Sequence, residues 1–295
     1  MSTLFDFRQD YHREIARQLL GYRKNNNRLS DVLSNADRHS SLSVRLAAGI
    51  AERIGQPLCA SVPDSQTLGA IFARVTCSFL EATFGRLVHL RPGEWVFSMS
   101  QATPGIAAYE QYEHLAALSA LAQTYPELRS VLGSDYLITP DIVVGRMPVS
   151  DTEVNDGGAF ISPEESAQIA KQTPLREANG IARGPMLHAS ISCKWTIRSD
   201  RAQNTRTEAL NLIRNRKGRT PHIVVVTAEP LPRRLASIAI GTGDVDCTYH
   251  AALNELVGTL EEKPYEFEDA LAELKDLISA RRLRDISDLP FDLAI

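Results

Sequence analysis

The chain has 295 residues, 43% hydrophobic and 23% charged, with a formal net charge of −4. That is enough apolar material for a full core, and the balance excludes a globally disordered protein. There is no run of eighteen apolar residues and no basic-then-apolar leader at Met1. This predicts no membrane span and no secretion signal. The four cysteines, Cys59, Cys77, Cys193 and Cys247, lie far apart with no C-x-x-C pair. They argue against zinc and a disulfide framework and fit a reducing cytoplasm.

In chain order, the first half reads as helical. Apolar residues recur at helical spacing over Phe7 to Leu20, Ser43 to Ile54 and Leu68 to Val88. A further helix is predicted from about Tyr109 to Gln123, with a short one from Pro126 to Leu132. Asn25-Asn26-Asn27 and Pro57 to Ser65 read as loops. The second half changes character. Tyr136 to Val144 is an apolar, β-branched strand interrupted by Pro140-Asp141, and Met186 to Ile197 alternates. Leu187, Ala189, Ile191, Cys193, Trp195 and Ile197 point one way; His188, Ser190, Ser192, Lys194 and Thr196 form a polar face. A helix is predicted from about Asp200 to Asn215, capped by Ser199 and ended near Gly218, and then a buried strand, His222 to Thr227. Helices follow at Tyr249 to Leu260 and Glu266 to Ala280, while residues 151 to 184 read as a long connection. Strand, helix, strand in a mostly helical remainder predicts an α/β core wrapped in helices, as one domain over 1–295. Its parts would be a helical portion to about 133, a core over about 134–240 and closing helices over about 241–295.

Charge is unevenly placed. Between Lys194 and Arg219 eight basic residues face only Asp200 and Glu208, a window of +6 in a chain of −4. A basic face on an acidic body suits a selective DNA binder, although a solvated helix face has the same composition.

Hydrolysis of a phosphodiester needs metal ions held by carboxylates and a cation near the phosphate. Asp141, inside an apolar strand, is costly there unless a cation pairs with it. Lys194 lies in line with Ser190 and Ser192, so neighbouring strands would let Asp141 and Lys194 meet. Glu208, fourteen residues after Lys194, shares a helix face with Arg201 and Asn204. Each residue alone is weak evidence; Pro-Asp, then Ser-x-Lys, then a helical Glu is specific.

The stretch from Ser190 to Glu229 carries this pattern, preceded by Gly133-Ser134-Asp135-Tyr136 and Ile138-Thr139-Pro140-Asp141. It resembles the PD-(D/E)xK superfamily, within it the tetrameric type II restriction endonucleases that recognise CCGG-core sites. Weaker likeness extends over Ser34-Asn35-Ala36-Asp37, Arg91-Pro92-Gly93-Glu94-Trp95 and Asp285 to Pro290. The resemblance implies a PD-(D/E)xK nuclease core, a central mixed β-sheet flanked by helices, in the variant whose second acid has moved to the following helix. Ser192 then stands at the usual acid position and Glu208 is the displaced acid. By resemblance, Asp141 and Glu208 hold Mg2+, Lys194 positions the attacking water and the scissile phosphate, and Ser192 supports them. Arg198, Asp200 and Arg201 would read the CCGG core. Arg234 and Asp37 would read the outer base pair, with Gln66 reaching the minor groove. GCCGGC is the implied site, and the implied partners are double-stranded DNA, further copies of the chain in a tetramer, and a cognate DNA methyltransferase.

One position departs from the family pattern. Ala73 stands where the family carries a metal-binding Glu. A weak cleaver, replacement by Glu81, or a chain altered to hold DNA uncut would each account for it. A DNA-binding protein without cleavage is therefore the first competing reading. A nucleotide-binding or hydrolytic enzyme is the second, resting only on Gly241-Thr242-Gly243, which lacks the rest of a phosphate loop; no G-x-S-x-G elbow occurs.

Overall fold

A computed structural model describes residues 2–23, 32–99, 105–125, 127, 139–241 and 243–295. The expected short helix at Pro126 to Leu132, the strand portion at 136–138 and the Asn25-Asn26-Asn27 loop lie outside them, apart from Glu127.

The core is a six-stranded sheet. Its strands are β1 (Trp95–Ser98), β2 (Ile142–Arg146), β3 (Met186–Lys194), β4 (His222–Thr227), β5 (Cys247–His250) and β6 (Leu283–Asp285). They lie in the order β6-β5-β4-β3-β2-β1. Strands β3 to β6 run parallel, while β2 is antiparallel to both β3 and β1. The reversal of β2 has a positional effect. It brings the start of β2 to the edge where β3 and β4 end, the edge where open α/β sheets place their sites.

Helices cover the sheet: α1 (Leu4–Gln18), α2 (Ser41–Ile54), α3 (Ser65–Phe84), α4 (His114–Thr124), α5 (Ser199–Asn215), α6 (Pro232–Ala239), α7 (Leu253–Glu262) and α8 (Glu268–Ser279). Their starts reflect local chemistry. Thr3 and Asp6 form a reciprocal cap on α1, Ser40 caps α2, and Asp64 accepts from Gln66 and Thr67 N–H at the head of α3. Helix α3 packs on α1 and on β3, where buried Phe72 meets Trp195 edge-on with ring centroids 5.2 Å apart. On the other face of β3, Ala209 and Leu212 of α5 close over Ser190 and Ser192.

Four expectations are corrected by the fold. The expected polar face of β3 is buried: Ser190 and Ser192 lie under α5, and His188 packs against Trp95, His222 and the Leu293 carbonyl. Asp141 does not interrupt a strand but stands just before β2 begins. Helix α5 starts at Ser199, so Arg198 and not Ser199 holds the cap position. The segment beginning at Tyr249 is not helical throughout: Cys247–His250 forms β5, an apolar run too short for its pattern to separate strand from helix, and α7 starts only at Leu253.

The two ends of the chain are joined through a buried charge network. Arg8 Nε donates to Asp285 Oδ1 at 2.9 Å and Arg8 Nη1 to Glu255 Oε1 at 2.8 Å. Both carboxylates are held below the ordinary range against the upward pull of burial, because each bonds the Arg8 guanidinium.

Candidate active site

Three side chains meet where β2 starts and β3 ends. Ile142 pairs with Ile191, so the residue before β2 arrives beside the last residues of β3. Asp141 Oδ2 accepts the Cys193 N–H at 2.7 Å and lies 3.1 Å from Lys194 Nζ. Both bonds fall on Oδ2, and Oδ1 has no donor among the described residues. Helix α5 then crosses back over β3 and directs Glu208 at the same point. Burial pushes the Glu208 carboxyl up, the Lys194 ammonium draws it down, and the nearby Asp141 charge adds to the rise. Ser192 lies beneath, its buried Oγ lacking a hydrogen-bond partner among the described residues.

These groups open into a cleft of about 440 Å³. Asp141, Lys194 and Glu208 form one end, with Asn204 of α5 beside them and Ala73 of α3 on the wall. Arg198, Gln66, Asp37 and Arg234 line the remainder, so the described candidates other than Ser192 share one cavity. A second cleft of about 1230 Å³ continues past Asp37, Arg198 and Arg234 to Arg206 and Arg233. Asp200 and Arg201 fall in the first turn of α5; their side chains lie outside the described residues.

Asp37 and Arg234 form an ion pair, and Arg234 Nη1 is also 3.7 Å from Glu229 Oε2. The Asp37 carboxyl sits below its usual range, first through the His39 N–H and then through Arg234.

The basic window does not form one face. Lys194 and Arg198 belong to the cleft. Arg214, Arg216, Lys217 and Arg219 lie at the far end of α5, ~25 Å along a 17-residue helix, where β4 begins. Arg206 is occupied by the carbonyls of Ser237 and Ile240 at 2.8 and 2.7 Å. The linear sequence hides this division because one helix separates its two ends.

Ala73 is buried on the cleft wall, whereas Phe72 before it is in the core and Arg74 after it faces away. Glu81 is exposed and does not line the cleft, so it does not replace a carboxylate there. Among the described residues no three His, Cys, Asp or Glu side chains form a metal-holding group. Two carboxylates with an open oxygen on Asp141 still fit Mg2+, which commonly takes one or two protein carboxylates and completes its shell with water and phosphate.

Sequence reasoning missed Glu229. It is fully buried, accepts the Ile197 N–H at 2.8 Å and the Leu231 N–H at 3.2 Å, and burial pushes its carboxyl up to about 7. The available signal was an acid two residues after a buried strand, at the end where α/β sites gather.

The NgoMIV restriction enzyme family model matches residues 11–295. The chain is 50% identical over 266 residues to the type II restriction enzyme NgoMIV of Neisseria gonorrhoeae, covering 90% of each chain. The family match spans every strand of the sheet and the residues of the cleft. The chain therefore belongs to the NgoMIV restriction enzyme family, a family of site-specific DNA endonucleases.

Proposed function

We propose that the chain hydrolyses both strands of duplex DNA at a palindromic CCGG-core site, GCCGGC, with Mg2+ held by Asp141 and Glu208, and that Ala73 weakens the cut. The observation that carries this is the Asp141–Lys194 contact of 3.1 Å with Glu208 facing the same cleft. A divalent cation bound there supplies charge for the oxygens of the phosphodiester. Lys194 holds the scissile phosphate and orients the attacking water. Asp141 is held on Oδ2 by the Cys193 N–H and Lys194, which leaves Oδ1 to take a cation. Ser192, buried beside Glu208 with a hydroxyl that has no partner among the described residues, donates into the site.

Arg198, Asp200 and Arg201 read the core. Support comes from the exit of β3 into the first turn of α5, a geometry that enters a major groove, and from Arg pairing with guanine and Asp with cytosine. Arg234 and Asp37 read the outer pair, and Gln66 reaches the minor groove. One such reading head serves one half-site, so a palindrome requires two copies, and two dimers form a tetramer. The enzyme acts in the cytoplasm as one domain, its core cluster continuous from Tyr11 to Leu293, beside a methyltransferase that protects the host's own sites.

The test is cleavage of a plasmid carrying CCGG in every flanking context, with magnesium, and then mapping of the ends. Cutting confined to GCCGGC is expected; cutting indifferent to the CCGG core sinks the reading. Ala73 favours a second reading, binding without cleavage. Specific retention of GCCGGC duplexes with no cut product at any enzyme concentration would select it.

A further inference from the structure

The segments carrying Arg198, Arg234 and Asp37 come from distant parts of the chain, yet all three are tied to one buried turn. Strand β4 ends at Thr227, in register with Lys194 at the end of β3, and the chain then turns through Ala228 and Glu229. Ile197, one residue before Arg198, donates its N–H to Glu229 Oε2 at 2.8 Å. Leu231, at the head of the helix that carries Arg234, donates to Oε1 of the same carboxylate at 3.2 Å, and Arg234 Nη1 is 3.7 Å from Oε2. Asn35, two residues before Asp37, donates from Nδ2 to the Ala228 carbonyl at 3.2 Å.

The turn is itself fixed. Glu229 N–H donates to Thr227 Oγ1 at 3.2 Å. His250 Nδ1 accepts the Ala252 N–H at 3.0 Å, which leaves Nε2 as the donor to the Glu229 carbonyl at 3.0 Å.

We infer that the Ala228-Glu229 turn fixes the DNA-reading segments to one another, and that Glu229, which is fully buried, is a positioning residue for sequence selectivity. The inference rests on the proposed reading of Arg198, Arg234 and Asp37 as base contacts. A carboxylate is the side chain this role needs. It offers an acceptor to each of two N–H groups on separate segments, whereas a glutamine of the same shape sets an NH2 against one of them. A displacement of either segment by a fraction of an ångström degrades bidentate base pairing while leaving phosphate contacts largely intact.

The test is competition binding to three duplexes with calcium in place of magnesium: GCCGGC, the outer-pair variant ACCGGT and the core variant GCATGC. R198A should lose preference over the core variant and R234A preference over the outer-pair variant. E229Q should lose both by about 5- to 10-fold, with melting temperature within a few degrees of the parent chain, as one buried hydrogen bond is exchanged for an unsatisfied donor. N35A should lose only the outer preference, and it carries the test if E229Q does not fold. Intact ratios in E229Q and N35A, with both arginine variants impaired, overturn the inference and leave the contact reading standing. Equal weakening of E229Q on all three duplexes also overturns it, since that is a stability effect. Unchanged ratios in R198A and R234A overturn the contact reading and the inference with it.

Discussion

Lys194 Nζ stands 3.1 Å from Asp141 Oδ2 across 53 positions of sequence, and the Cys193 N–H closes on the same oxygen at 2.7 Å. Two donors thus converge on one oxygen of a carboxylate that belongs to no regular element. The arrangement depends on β2 running against β3: a parallel β2 would carry Asp141 to the opposite edge of the sheet. Replacing Lys194 with Met keeps the stem and removes the charge. Cleavage of GCCGGC plasmid should fall by ~10²- to 10³-fold, the scale of losing one group that stabilises transition-state charge. Duplex binding should persist, which filter retention on the same DNA checks.

Ala73 is buried but lines the cleft, so Ala73→Glu sets a carboxylate on the wall shared with Asp141, Lys194 and Glu208. A divalent cation in the cleft is what would offset the burial of that charge. Magnesium-dependent cleavage should rise by at least ~10-fold, the lower end of what even outer-shell groups contribute at a metal site. Unchanged cleavage would show that this wall does not serve the cation.

Asp37 neutralises Arg234 in the absence of DNA. Asp37→Ala releases the guanidinium towards any phosphate. Binding to unrelated duplex should tighten, and the slope of log affinity against log salt should steepen by ~0.9. Titrations at several salt concentrations measure both. A flat response would mean that Arg234 does not face the DNA.

His250 is buried with Nδ1 accepting from Ala252, and burial lowers its pKa to about 4 from 6.5. The unfolded chain therefore takes up a proton before the folded one. The stabilisation tied to the neutral ring is fully present above pH 6.5 and is lost as pH falls towards 4, about 3 kcal/mol for this group. Thermal melts from pH 7.5 to 4.5 should show this fall, and His250→Asn should flatten part of it, with lower stability at neutral pH.

Much of this architecture was legible because period and burial agreed. His222 to Thr227 is an unbroken β-branched run and forms β4 over the expected residues. The alternation from Met186 located β3, whereas the caps Ser40 and Asp64 start α2 and α3 ahead of the expected Ser43 and Leu68. The edge strands were not legible: Trp95–Ser98 and Leu283–Asp285 are too short for a period to register. Asp141, Lys194 and Glu208, which share one cleft, were singled out through their spacing within one contiguous stretch and the resemblance it carries. Glu229 was not, since its role comes from two backbone N–H groups, and a sequence does not show which amides lack a partner in the sheet. The basic window misled for the complementary reason: adjacency in sequence along a helix becomes separation in space.

The Arg8–Asp285 bond joins positions 277 residues apart. Arg8 is thus the shared cation of two buried carboxylates, and its loss would leave Asp285 and Glu255 as uncompensated charge in the interior. The first helix and the last strand of the sheet therefore come apart together: fraying at one end of the chain is felt at the other.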